Sequence, residues 1–244
     1  MKEALAVVLL VTAARAAPGD EPPLVADRPG FGESASAVPP HHVQAETGAA
    51  WTRVEAGTSV ADAPEALVRI GLLKPLELRL LVPDWLRQRA GGHTTAGWAD
   101  MAVGLKCHLA ARGNDLALRG TLYLPTGGAA FTSERVEPEV ALAWSRVLSE
   151  RWSLGATLGL RRLRLAHETL SSPSVSLGRS LGQRLGTFLE YGANLARGAR
   201  ALHKLDHGYT WVLDARTQLD ASLGVALSPA APDFFVGAGF CHRF

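Results

Sequence analysis

From about residue 43 onward the chain alternates apolar and polar positions, the period of two that marks β-strands with one apolar face. The end of the chain shows it most plainly. Phe234, Val236, Ala238, Phe240, His242 and Phe244 form one nearly apolar set, and Phe235, Gly237, Gly239, Cys241 and Arg243 form a smaller, more polar one. The same alternation predicts about twelve strands, near 43–54, 66–72, 76–82, 98–109, 116–124, 136–146, 152–161, 174–181, 185–196, 209–213, 218–227 and 234–244. In the fourth, for example, Met101, Val103, Leu105, Cys107 and Leu109 oppose Asp100, Gly104, Lys106 and His108. The eighth has the weakest pattern, because Arg179 falls among Val175, Leu177 and Leu181.

The connections add a second regularity. Short pieces at 73–75, 110–115, 147–151, 182–184 and 214–217 alternate with longer ones at 83–97, 125–135, 162–173 and 197–208. A transmembrane barrel sorts its connections this way, with tight turns at the periplasmic end and longer loops outside. A soluble sandwich has no reason to sort loop length by parity. The fold expected is therefore all-β, a transmembrane antiparallel β-barrel of about twelve strands spanning residues 41–244. Its leucine-rich set faces lipid and its charged set faces the lumen, since lipid offers a backbone no hydrogen bonds and only a closed barrel satisfies every strand. A soluble barrel would reverse this and need the leucines inside; the six tryptophans near strand ends suit an interfacial girdle instead.

Ahead of the barrel, Lys2 precedes the apolar run 4–11, and Ala14-Arg15-Ala16 has the small-x-small form of a cleavage site, so residues 1–16 read as a secretory signal. After it no run reaches the roughly 18 apolar residues of a membrane-spanning helix. Residues 17–40 are rich in Pro, Gly, Ala and Ser and lack periodicity, which predicts an irregular periplasmic arm or plug-like lead-in.

Composition narrows the function. A net charge of +2 from scattered basic residues gives no case for nucleic acid. Two cysteines, Cys107 and Cys241, do not make a disulfide scaffold, and the alternation puts them on opposite faces. Gly178-Arg179-Ser180-Leu181-Gly182 matches the nucleophile elbow of hydrolases, but that motif needs a strand–turn–helix setting, and here a turn leads into another strand. The eight histidines include no H-E-x-x-H, and there is no Cys-x-x-Cys. No metal, cofactor or enzymatic activity is expected. The residues that carry chemistry are then the lumen-lining candidates Arg79, Asp100, Lys106, Arg119, Glu139 and Glu190, which would filter solutes by field and size or brace a narrow barrel as ion pairs. A passive channel for small-molecule solutes follows. The alternatives are a non-transporting barrel (adhesin or structural) and a barrel-embedded hydrolase using Ser180.

Asp27-Arg28-Pro29-Gly30-Phe31-Gly32-Glu33-Ser34, with Val38 to Glu46 after it, resembles the opening of the outer-membrane "transporter" family, also named for a MetA-pathway of phenol degradation. The likeness continues through residues 97–106, Leu122-Tyr123-Leu124-Pro125-Thr126-Gly127, Glu190-Tyr191-Gly192, residues 205–208, Gln218-Leu219-Asp220 and residues 237–240. Cys107-His108 and Cys241-His242 depart from the family's usual residues. The resemblance implies a signal-bearing barrel in a Gram-negative outer membrane that passes small molecules, with a contextual link to aromatic or hydrophobic compounds and no catalytic residues. A chain ending on an aromatic at the last strand position, Phe244, also resembles the sorting signal read by the barrel-assembly machinery. The partners expected are that machinery, outer-membrane lipid and lipopolysaccharide, and a small solute.

Overall fold

The computed structural model describes residues 22–111 and 114–244; the signal expected at 1–16 lies outside them. Fifteen strands form one antiparallel sheet: β1 (Val43–Glu55), β2 (Thr58–Ala63), β3 (Leu67–Leu73), β4 (Leu76–Leu81), β5 (Trp85–Ala90), β6 (His93–Trp98), β7 (Met101–Ala111), β8 (Asn114–Leu124), β9 (Glu137–Val147), β10 (Trp152–Leu163), β11 (Glu168–Ser180), β12 (Leu185–Asn194), β13 (Leu202–Asp214), β14 (Thr217–Ala226) and β15 (Phe234–Arg243). Next-neighbour pairing runs from β15 back through β7 to β4, β3 and β1, and β1 pairs β15 from Gln44↔Arg243 to Arg53↔Phe234. That pairing closes a barrel of twelve staves and leaves neither β1 nor β15 as an edge. The remaining strands prolong three staves at one end: β2 continues β3 past Pro64, β5 continues β4 past Pro83, and β6 leads into β7.

These prolongations correct two expectations. Residues 83–97 are the β5–β6 hairpin rather than a loop, and most of 162–173 and 197–208 lies in β10, β11 and β13. Polar residues in the outward set, Arg87 and Arg89 in β5 and His203 and His207 in β13, and the adjacent Ser171 and Ser172 of β11 hide the alternation at these positions. The two ends still differ. Residues 125–136, 195–201 and 227–233 connect strands at the end away from both Val43 and Phe244, while turns at 74–75, 148–151, 181–184 and 215–216 connect them at the other. The end with the longer loops is extracellular.

The interior is inverted relative to a soluble protein. Buried apolar residues are almost all small, including Ala102, Ala117, Ala141 and Ala143, whereas the largest fully buried side chains include Arg69, Arg243, Lys106, Gln44, Glu46 and Glu77. The leucines point outward, with Leu105 49% and Leu223 51% exposed. In water such a surface would be an extended aggregation patch; in a bilayer it is the solvated face. The tryptophans split between two rims. Trp51, Trp85 and Trp98 lie at the extracellular rim of the barrel, and Trp144, Trp152 and Trp211 toward the periplasmic ends of their strands.

Candidate functional site

The lead-in enters the barrel. Its prolines and glycines give it no repeating pattern of backbone N–H groups to join a strand ladder, yet those groups still need acceptors. Carboxylates on the barrel wall supply them. Glu46 on β1 accepts from the N–H groups of Asp27 (2.9 Å) and Arg28 (3.1 Å). Glu190 on β12, four staves round the barrel, accepts from Phe31 (2.7 Å) and Gly32 (2.8 Å). Glu77 on β4 accepts from Val38 (2.7 Å), and the Thr157 hydroxyl on β10 from Glu33 (3.0 Å). A Cβ on Gly30 would press on the Glu190 carboxylate, so glycine lets the arm approach it this closely. Through these contacts residues 22–38 lie within the lumen.

Charged side chains complete the docking. Asp27 lies 2.6 Å from Arg79, 3.2 Å from Lys106 and 3.6 Å from Arg69. Arg69 also pairs with Glu46 and Glu77 at 2.9 Å each. Burial would raise the Asp27 carboxyl, but the charges of Arg69, Lys106 and Arg79 outweigh it and hold it well below the usual carboxylate range. Arg28 reaches Glu65 (2.8 Å) and Asp220 (3.4 Å) on the far side. Glu33 meets Arg119 at 2.7 Å, and Arg119 in turn pairs with Glu139, whose other oxygen accepts from the Tyr123 hydroxyl at 3.2 Å. Arg161 stands 3.6 Å over the Tyr123 ring and pairs with Glu137 at 2.8 Å. Phe31 packs edge-on against Phe235 at 5.5 Å, with the Lys204 ammonium 4.2 Å above its ring.

Five of the six residues singled out in the sequence therefore project from the wall into this lattice. Arg79 and Lys106 hold Asp27, Arg119 joins Glu33 to Glu139, and Glu190 holds the arm's backbone. Asp100 differs. It lies in the break between β6 and β7, where it accepts from the N–H groups of Gly127 (2.8 Å) and Ser133 (2.7 Å) and from the Ser133 hydroxyl (2.6 Å). It anchors the loop 125–136. The sequence reading did not single out Asp27, Arg28, Glu33, Glu46 or Arg69. For the arm, the signal available was Asp27, Arg28 and Glu33 within the Pro/Gly-rich stretch that resembles the family's opening.

The arm fills one side of the lumen. The opposite wall, β9 to β13, presents small polar positions: Ser145, Ser153, Gly155, Thr157, Ser174, Ser176 and Thr210. Here the arm leaves a cavity of ≈220 Å³. A second, of ≈420 Å³, opens toward the periplasmic turns and shares Ser153, Ser176, Phe188 and Thr210 with the first. A third, of ≈730 Å³, lies at the extracellular mouth among Arg79, Arg119, Tyr123, Phe131 and Arg161, and meets the first at Glu33.

The family model described as "Putative MetA-pathway of phenol degradation" matches residues 26–244, which takes in the arm as well as the barrel. The chain belongs to this family. Among solved structures, an outer membrane channel from Pseudomonas putida F1 superposes with a TM-score of 0.64 at 15% identity, covering 88% of this chain and 99% of that one. The NanC porin gives 0.58 at 5% identity over 82% and 100%, and the KdgM porin in complex with disordered oligogalacturonate 0.55 at 8% over 83% and 99%. No curated protein matches the chain. At these identities the likeness is one of fold, a closed antiparallel barrel shared with outer-membrane channels and porins.

The remaining sequence candidates fall outside the lattice. Ser180 is the last residue of β11, its N–H donating to the Arg151 carbonyl at 2.8 Å, and a turn then leads into β12 rather than a helix. Cys107 and Cys241 are both free, Cys241 buried in the wall. Among the described residues no cluster of three metal-ligating side chains occurs.

Proposed function

We propose that this family member is a passive outer-membrane channel whose solutes travel along the serine-, threonine- and glycine-lined wall of β9 to β13, beside the docked arm. The observation that carries the reading is the pair of cavities along that wall, joined through Ser153, Ser176, Phe188 and Thr210, with a third at the extracellular mouth, lined mainly from β3, β4 and β8, that meets the first at Glu33. Transport needs no cofactor. The wall offers hydroxyl and backbone groups to a solute, while Glu139 and Glu190 on it and Arg79, Lys106 and Arg119 across from it set the field. Small aromatic or hydrophobic compounds are the solute class of this reading, suggested by the family's description and by Tyr123 and Phe131 at the mouth. Recognition of the C-terminal strand by the barrel-assembly machinery and lipopolysaccharide as the outer-leaflet lipid belong to the same reading.

Conductance of the purified barrel in planar bilayers tests it. Wild type is expected to carry a solute-dependent current. Ser176→Trp, placing an indole where two cavities meet, is expected to abolish most of it without unfolding the barrel. Arg119→Ala and Glu139→Ala are expected to change ion selectivity. A silent wild-type barrel, indifferent to all three substitutions, would favour a non-transporting barrel, and ester hydrolysis lost in Ser180→Ala would favour the hydrolase.

A further inference from the structure

The prolonged staves β2, β5 and β6 carry the barrel sheet beyond its extracellular rim, and one face of that extension points outward, away from the lumen. Directly paired residues in an antiparallel sheet share a face. Trp51 pairs Ala61, which pairs Arg87; Arg53 pairs Ser59, which pairs Arg89. Trp51 belongs to the lipid-facing set of β1 and packs on Phe234 at 5.4 Å, so the whole group faces the surrounding lipid. The outcome is a shallow cleft with Ser59 and Ala61 as its floor and Arg53, Arg87 and Arg89 as its walls. Trp51, Arg53, Arg87 and Arg89 are exposed.

Height along the bilayer normal adds to this. Trp85 and Trp98, stacked edge to face at 5.1 Å, mark the interfacial belt on the same strands. Arg87 and Arg89 stand two and four residues beyond Trp85. At ~3.3 Å per residue and a strand tilt of ~40°, they sit roughly 5 and 10 Å above the belt, the depth of lipid headgroups rather than of acyl chains or bulk water. Arg53 pairs with Asp233 at 3.4 Å, and Glu55 follows two residues on along the same face. Arg87 and Arg89 have no ion-pair partner among the described residues. Elsewhere the described arginines that face inward are matched by carboxylates, as Arg69, Arg79 and Arg119 are.

We propose that this cleft is a docking site for the phosphorylated headgroup of an outer-leaflet glycolipid, with Arg87 and Arg89 as the phosphate ligands and Arg53 as flanking charge. The guanidinium fork suits phosphate oxygens, and the belt tryptophans beneath set the lipid's depth. The proposal rests on the outer-membrane reading but not on conduction.

The test is lipid retention by the detergent-purified barrel in native mass spectrometry, with lipid A carrying its phosphates and the same lipid dephosphorylated as probes. Wild type is expected to retain the phosphorylated form preferentially. Arg87→Gln/Arg89→Gln is expected to bind it about 30-fold more weakly, from about 1 kcal/mol per surface arginine. Arg146→Gln, which removes an outward arginine at the periplasmic end of β9, is expected to bind as wild type does. Equal retention by wild type and the double variant would overturn the proposal, as would equal retention of the dephosphorylated lipid or an equal loss in Arg146→Gln. Should the double variant not fold, Arg89→Gln alone is read the same way, with a loss of about fivefold. Bilayer conductance of the same variants separates the two readings. Unchanged current with lost lipid supports the docking site, and a silent wild type that still selects phosphorylated lipid leaves it standing.

Discussion

Replacing Asp27 with asparagine keeps the shape of the side chain and removes one charge from the centre of the lumen lattice. The consequences are unequal. Arg79 keeps Glu77 at 2.8 Å, and Arg69 keeps Glu46 and Glu77 at 2.9 Å each. Lys106, fully buried, is left with Glu33 at 4.0 Å. Breaking a buried pair by removing one partner costs about 3–5 kcal/mol, because the other charge stays desolvated. With two of the three cations still matched, the lower end applies, about 3 kcal/mol. Urea unfolding from lipid vesicles, followed by tryptophan emission, measures it, with an unchanged denaturant slope showing that stability and not compactness moved. Lys106→Met in the Asp27→Asn background removes the stranded charge, and a coupling of about 2 kcal/mol between the two substitutions is expected. A loss below about 1 kcal/mol for Asp27→Asn, or simple additivity with Lys106→Met, would refute the reasoning, since Asp27 would then not depend on its cations.

The remaining predictions concern the arm and the loop that Asp100 anchors. Because the Asp27 carboxyl is depressed in the folded state, its contribution is present above its unfolded value, near 4, and is lost only as pH falls through the lower folded value. Protease protection of the arm should therefore persist through pH 5 and fail only in stronger acid; release between pH 7 and 5 would contradict the assignment. Gly71→Ala sets a Cβ against the backbone carbonyls of Pro39 and Val38, so the arm's exit must shift, at about 1–3 kcal/mol in the same urea assay. Asp100→Ala removes the acceptor of three hydrogen bonds from loop 125–136 and should hasten limited proteolysis there, leaving the barrel's heat-modifiable migration intact.

Twelve staves, their order and their lipid-facing sets were legible because lipid imposes a strict contrast on one face of every strand. Leu116, Leu118 and Leu122 had to alternate with something, and the other set is the lumen by elimination. The lumen face carries no such uniform demand. Where it holds Ser172, Ser174 and Ser176 the period fades, which is why the pattern starts β11 later than Glu168; β13 starts later than Leu202 in the pattern because His203 and His207 stand in its outward set. Ion partners were illegible for another reason. Alternation places Arg79, Lys106 and Glu77 on one face, but the acid that joins the first two, Asp27, comes from a segment with no period at all. Asp100 shows the opposite failure: it continues the polar set of β7 by parity, yet it stands just before the strand, where its carboxylate can turn to the loop.

The arm also explains why so much charge is tolerated in a narrow lumen. Buried ion pairs seldom add stability over apolar residues of the same volume, because desolvation offsets their attraction. An apolar filling would, however, give an irregular segment nothing to accept its backbone N–H groups, and each group left unpaired costs about 1–3 kcal/mol. Glu46, Glu77 and Glu190 meet that demand from three sides of the barrel, and Arg69 then neutralises two of these acceptors at once. The lattice thus sets position more than stability. Its ion pairs tie the arm to β3, β4, β7 and β8, and the arm's N–H groups tie it to Glu46 on β1 and Glu190 on β12, which leaves the cavity beside Ser145, Ser153, Gly155 and Ser176 open. An arm held by hydrophobic contact alone could slide along the lumen and fill that space; one held at Asp27, Phe31 and Val38 cannot.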